Sequence, residues 1–353
     1  MSNPYSNLPD RAFWRRAVSS VDAAKFDPIT EVPFTIASGD KVATAGSCFA
    51  QHISRTLAKE GFGYLITEAG PQSAGAINQS YGVFPARFGN IYSVRQLLQL
   101  FQRAYGLFNP ADRAWLRSDG KYVDPFRPQV QEVGFATPEL LEADRDAHLI
   151  AVQEMFENCD IFIFTLGLTE AWCSLEDGAV FPLAPGVVAE GMGEYKFENF
   201  SIEAMVNDLS RFAGMLREVN PEVRMVLTVS PVPLIATFEP QHVLVSTTYS
   251  KSALRVVAEI AARSLKDVAY FPSYEIITGP QARGRYYAED LREVTPDGVA
   301  HVMSIFKRHF LDGKAEALRA ALPRTVVSGS SAPSLIEREE EFQVVCDEEA
   351  LDA

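Results

Sequence analysis

Apolar positions along the chain follow two rhythms in alternation: short unbroken runs, and longer stretches with a helical period. Lys41 to Ala45 (Lys-Val-Ala-Thr-Ala) reads as a strand of small residues. Cys48 to Gly61 then carries Phe49, Ile53 and Leu57 at four-residue spacing and closes on glycine, which predicts a tight turn into an amphipathic helix. Val94 to Tyr105, with Leu97, Leu98, Phe101 and Tyr105, reads as a helix, as does Pro138 to Asn158. The second feeds Asp160 to Leu166 (Asp-Ile-Phe-Ile-Phe-Thr-Leu), a continuous apolar run of the kind a strand covered on both faces requires. The pattern continues with helix Ser201 to Asn220, strand Val223 to Ser230, a loop Pro231 to Ser250, helix Lys251 to Leu265, a short strand Val268 to Phe271 and helix Thr295 to Asp312. Strands separated by helices predict an α/β fold, a three-layer doubly wound parallel sheet. Long inserted loops interrupt it. The stretch 110–138, polar with Trp and Pro, matches no regular element and is a candidate lid, and a Gly/Pro-rich excursion runs to Phe200.

Composition sets the boundaries. At 353 residues, 47% hydrophobic and 22% charged, the chain affords one elaborated domain with a real core. Residues 1–33, rich in Pro and aromatics, form an N-terminal arm packing on that domain, which spans 34–322. Residues 323–353 begin with Ser, Gly, Ala and Pro, then turn acidic, and are expected to be disordered. Thirty-two Lys and Arg against 46 Asp and Glu leave a net charge of −14. From Ser331 onward there are eight acids and one arginine, so seven of those negative charges are local. Such a balance argues against nucleic acid and anionic membrane surfaces as partners, and the acidic tail is a candidate docking segment for a protein partner. No apolar stretch is long enough to cross a membrane. Four cysteines without CxxC spacing read as free thiols in a reducing compartment; with no secretory leader in the sequence, the expectation is a cytoplasmic protein. There is no His-Glu-x-x-His spacing, and Gly46-Ser-Cys lacks the glycines of a dinucleotide loop, so no metal or cofactor is expected.

In an open parallel sheet, ligands bind where strands end and helices begin. Four places qualify: Gly46 to Cys48, Gly167 to Trp172, Ser230 to Leu234, and Asp290 to His301. Cys48 starts a helix, where unpaired N–H groups and the helix dipole favour a thiolate and can hold an oxyanion. The plainer alternative is a small buried residue that packs the turn.

Thr44-Ala-Gly-Ser-Cys-Phe-Ala-Gln-His52 resembles the signature of the GSCFA domain family, a group similar to the SGNH (GDSL-like) hydrolases, whose sheet is flavodoxin-like. Further stretches are similar to the same family: Tyr81 to Tyr92, Thr165 to Trp172, Val229 to Pro233, Tyr249 to Ser252, Tyr270 to Glu275 and Tyr286 to Phe306. The resemblance implies an acyl-ester hydrolase or acyltransferase that works through an acyl-enzyme, with a carbohydrate or glycan ester as the substrate class. Laying Gly46-Ser47-Cys48 over Gly-Asp-Ser puts Cys48 at the nucleophile; a register shift of one gives Ser47. Oxyanion donors would come from the Cys48 N–H and from the Gly89-Asn90 and Gly167-Leu168-Thr169-Glu170 stretches. The usual Asn is absent from the latter, though Thr169 can donate, and Glu170 can only when protonated. Where the superfamily has Asp-x-x-His, this chain has Asp290-Leu-Arg-Glu293. The base is then Glu293 itself, or His301 oriented by Asp290 or Asp297, or it has been lost. His52, one turn beyond Cys48, and His242 are further candidates, and Arg87, Arg285 and Lys251 could neutralise an anionic substrate. A catalytically inactive, ligand-binding protein on the same scaffold is the alternative reading.

Overall fold

The computed structural model describes residues 3–70, 80–312 and 347–351. Its strands are β1 (Lys41–Gly46), β2 (Gly63–Tyr64), β3 (Trp115–Leu116), β4 (Tyr122–Val123), β5 (Ile161–Leu166), β6 (Glu170–Ser174), β7 (Val180–Phe181), β8 (Tyr195–Asn199), β9 (Arg224–Val229) and β10 (Val268–Phe271). The α-helices are α1 (Ala50–Lys59), α2 (Val94–Ala104), α3 (Pro138–Asn158), α4 (Ile202–Val219), α5 (Val243–Ser264), α6 (Ser273–Thr278) and α7 (Pro296–Phe310).

Five parallel strands make the central sheet in the order β10-β9-β5-β1-β2. Numbered among themselves along the chain, these strands stand 2-1-3-4-5 across the sheet, the flavodoxin-like arrangement, whose winding reverses between β1 and β5. All six residues of β5 are buried because alternate side chains enter two different cores. Phe162, Phe164 and Leu166 meet Leu97 and Phe101 of α2, Phe156 of α3, Phe212 of α4 and Leu254 of α5. Ile161 and Ile163 face the other way, toward Ile53 and Leu57 of α1, Ile277 of α6 and Phe306 of α7. A strand sandwiched in this way reads as an unbroken apolar run, and each fully buried Phe contributes up to about 3 kcal/mol relative to exposure.

The excursion before Phe200 folds into a small antiparallel sheet, β7-β6-β8, and 110–138 contains the β3–β4 hairpin. That insertion is anchored at its base. Asp124 is fully buried and accepts from Arg127 Nε (3.0 Å) and Arg145 Nε (3.2 Å), tying the loop to α3. Helix α5 begins eight residues before the expected start, because His242 Nδ1 accepts the Leu244 N–H (3.1 Å) and caps a stretch whose β-branched residues disguise it. The arm forms short 3-10 turns at Asp10–Ala12 and Ala23–Lys25 and a π turn at Arg15–Ser19. Of the acidic tail, residues 323–346, Cys346 included, lie outside the described residues. Asp347–Leu351 form a 3-10 turn in which Glu348 is buried.

Candidate active site

The turn after β1 starts with a residue that only glycine suits. Gly46 has φ +139°, and a Cβ there would collide with the Thr165 carbonyl oxygen of the neighbouring strand. Ser47 N–H donates to the same carbonyl (3.3 Å), and the chain then winds into α1 through Ala50 N–H to Ser47 O (2.8 Å) and Gln51 N–H to Cys48 O (3.1 Å). At this helix entry the N–H groups of Cys48 and Phe49 donate to no acceptor among the described residues, as first-turn amides of a helix must without a cap. The Ser47 hydroxyl is likewise buried and without a partner there, and the Cys48 side chain is only 4% exposed.

Three distant segments close around this turn. Ile91 N–H donates to Gly46 O (2.8 Å), laying residues 89–92 alongside the strand end. The Tyr92 carbonyl accepts from both Gly167 (2.9 Å) and Leu168 (3.0 Å) beyond β5. Tyr92 is itself held by the start of α2, where Gln96 Oε1 takes the N–H groups of Tyr92 (3.0 Å) and Ser93 (2.9 Å) in a capping box. Gly167 packs so closely on Ser47 that a Cβ would lie 3.1 Å from the Ser47 Cβ. From α5, Ser250 Oγ accepts the Thr169 N–H (3.2 Å) and Lys251 Nζ donates to the Gly167 carbonyl (2.7 Å). The turn and the 167–169 segment thus flank the reversal point between β1 and β5, where an open α/β sheet offers its crevice.

Lys251 dominates the electrostatics. It is 1% exposed, and burial pushes its ammonium down to about 8, with nearby Arg292 adding to the fall. Glu348 and Cys48 lie within electrostatic reach and pull the other way. The sequence weighed this lysine as an anion neutraliser and not as a proton carrier. Its signal was its place on the apolar face of α5, three and seven residues before Leu254 and Ala258.

The other candidates are distributed as follows. The Gly167 and Thr169 N–H groups are consumed by Tyr92 and Ser250, while Thr169 Oγ1 is buried and unpartnered among the described residues. Gly89, at φ +71°, and buried Asn90 line a small recess with Gln51 and Arg87. Arg87 is spent on the protein's own carboxylates, at 2.8 Å from Asp144 and 3.6 Å from Glu68. Glu170 accepts from Thr237 Oγ1 (2.8 Å), and burial raises its carboxyl. His52 stacks edge-on against Phe49, and burial with Arg55 beside it pushes it down to about 4, so it is neutral at pH 7. Asp290 and Glu293 are exposed, and Asp290 Oδ1 accepts the Arg292 and Glu293 N–H groups, a turn-forming arrangement. His301 is held by Tyr286 Oη (2.7 Å from Nδ1) and by the Phe26 carbonyl of the arm, and burial lowers it. None of these three hydrogen-bonds to Cys48 or Ser47 among the described residues. Beside Leu168 opens an apolar cavity of about 330 Å³, walled by Tyr92, Trp172, Phe181, Phe197 and Phe238, within the range of small-ligand sites. Among the described residues there is no group of three or more His, Cys, Asp or Glu that could hold a metal ion, and no helix is long and apolar enough to cross a membrane.

The GSCFA family model matches residues 41–306, well over half of the chain, including the turn after β1 and the segments 89–92, 167–169 and 250–251 that meet it. The chain belongs to the GSCFA family. The five residues that spell the family's letters are Gly46 to Ala50, the turn on which the other segments converge. No curated protein matches the chain. Among solved structures, the GSCFA chain is similar to a carbohydrate esterase family 3 from Talaromyces cellulolyticus, at 12% identity and a TM-score of 0.29, covering 80% of this chain and 100% of that one.

Proposed function

We propose that this GSCFA protein is an acyl-ester hydrolase or acyltransferase that forms an acyl-enzyme on Cys48. The observation that carries the reading is a buried lysine, fixed on the Gly167 carbonyl and within electrostatic reach of a cysteine whose helix-entry amides are free to hold an oxyanion. In this scheme Lys251, whose ammonium is lowered to about 8, takes the thiol proton, when itself unprotonated, as Sγ attacks the ester carbonyl. The carbonyl oxygen becomes an oxyanion facing the Cys48 and Phe49 N–H groups. Collapse of the tetrahedral species breaks the ester C–O bond, and the lysine returns the proton to the departing alkoxide. Water or an acceptor alcohol then attacks the thioester, giving hydrolysis or transfer. A carbohydrate or glycan ester is the substrate class in keeping with the family resemblance.

The test is intact-protein mass after brief exposure to an activated ester and to an acyl thioester, in the parent and in Cys48→Ala, Ser47→Ala, Lys251→Met and His301→Ala. The expected result is an acyl adduct lost only with Cys48 and slowed with Lys251→Met. An adduct lost with Ser47 alone moves the nucleophile by one residue. No adduct in any form favours the second reading, a ligand-binding protein on the same scaffold, for which the exposed Asp290 and Glu293 speak.

A further inference from the structure

The cleft beside Leu168 already holds a carboxylate, and the chain itself supplies it. Glu348, in the short turn Asp347–Leu351, is 6% exposed while the adjacent Glu349 is open to solvent. Its carboxylate lies 2.9 Å from Arg292 Nη2 and within electrostatic reach of Lys251. Arg292 belongs to the Asp290-to-Glu293 stretch, and its Nε is buried with no acceptor among the described residues, leaving a donor for a second oxygen. Glu348 and Leu351 also help to line the apolar cavity beside Leu168. General attraction does not account for this contact, because the protein carries a net charge of −14 and a tail of acids would be repelled on average. Burying a carboxylate costs several kcal/mol unless its partners are in place, so two cations at this spot make a site and not an incidental contact.

We propose that the cleft is a carboxylate site, built for a ligand that carries a carboxylate beside an apolar group, and that Asp347–Leu351 occupy it in cis as a stand-in for that ligand. The inference rests on the cleft being the reactive site of the proposed enzyme, whose substrate would then be an acidic ester. Displacement of Glu348 frees Arg292 for the incoming carboxylate, with Lys251 within electrostatic reach of both that carboxylate and Cys48.

The test compares alkylation of Cys48 in the full chain by iodoacetate and by iodoacetamide, which share a reactive carbon and differ in charge, with the modified residue located by peptide mapping. Glu348→Gln should raise the iodoacetate rate at Cys48 at least about tenfold, and the iodoacetamide rate less, because only the former gains the vacated cations. Adding Arg292→Gln should bring the ratio of the two rates back toward the parent's, and glutarate, a free dicarboxylate, should slow labelling of Glu348→Gln. Equal labelling of the parent and Glu348→Gln by both reagents would overturn the proposal. So would faster labelling that neither discriminates between the reagents nor responds to glutarate, the signature of loosened packing. Alkylation needs no acyl transfer, so an absence of acyl adducts beside these rate changes would remove the enzyme reading and leave the carboxylate site standing.

Discussion

Lys251 and Gly167, 84 positions apart in the chain, are joined at 2.7 Å through the lysine ammonium and the glycine carbonyl. That bond sets a charged group from α5 on the turn beyond β5, on the side of the sheet reversal where Cys48 enters its helix. A lysine buried this deeply needs such an acceptor, and the acceptor's position decides where the ammonium stands.

Lys251→Met should cut the rate of Cys48 acylation or alkylation near pH 7.5 by about 10²-fold, the usual size of a general-base contribution. In the parent, the rate should rise with pH through an apparent value near 8, the point to which burial lowers Lys251. Stability gives an independent reading. The folded-state value of about 8 lies below the ordinary 10.5, so between them the unfolded chain binds more protons. The contribution of this group therefore grows as pH rises from about 8 toward 10.5. Denaturant midpoints measured across that window should climb less steeply in Lys251→Met.

Gly46→Ala should destabilise the fold by about 3 kcal/mol or more, since the new Cβ meets the Thr165 carbonyl and the backbone holds φ +139°. Gly167→Ala meets Ser47 Cβ at 3.1 Å, the Tyr92 carbonyl at 3.2 Å and Tyr92 Cδ1 at 3.3 Å, none as close as the clash at Gly46, and should cost less stability while displacing the turn. Urea midpoints and Cys48 labelling rates, measured together, separate the two; equal losses of stability would contradict this account.

Acid should weaken the protein well above the carboxylate range. Burial, with Arg127 nearby, pushes His148 down to about 4, and burial with Arg55 does the same to His52. Both are therefore neutral in the folded state between about 4 and the ordinary 6.5, where the unfolded chain takes up protons, so stability falls as pH drops through that interval. Glu68 follows later. Burial alone would raise it, but the bond to His148 and that residue's charge hold it down to about 2. His148→Gln should flatten the fall between pH 6.5 and 4 in denaturant titrations.

His301→Ala should leave Cys48 labelling within about twofold and lower the melting temperature, because the ring ties Tyr286 and the arm's Phe26 together. A large loss of labelling at unchanged stability would instead return His301 to the reaction.

The sheet was legible because its strands announce themselves. The run Ile161 to Leu166 admits no amphipathic reading, and the helix at Pro138–Asn158 begins with a Thr137 cap and an N-terminal proline that fix its first residue. The turn at Gly46 was legible for the same reason, as a glycine between a small-residue strand and a periodic helix. The small sheet of β6, β7 and β8 was not, because strands of two to five residues broken by Gly and Pro carry too few positions to show a period. The placing of Lys251 was not legible, because it lies in a bond to a backbone carbonyl, which has no trace in residue identity. The burial of Glu348 within an acidic tail was equally invisible, since composition averages over the one acid that finds cations.

The bonds that locate the turn are largely main-chain ones: Ile91 N–H on the Gly46 carbonyl, Ser47 N–H on that of Thr165, and Gly167 and Leu168 N–H on that of Tyr92. A platform fastened this way holds its shape through most exchanges of the side chains it carries. Side chains on and around the turn, Ser47 and Cys48 among them, take no part in these bonds, so the position of the turn does not depend on which groups it carries. The architecture thus separates the position of the turn from the identity of the side chains it presents, and leaves the second open to change.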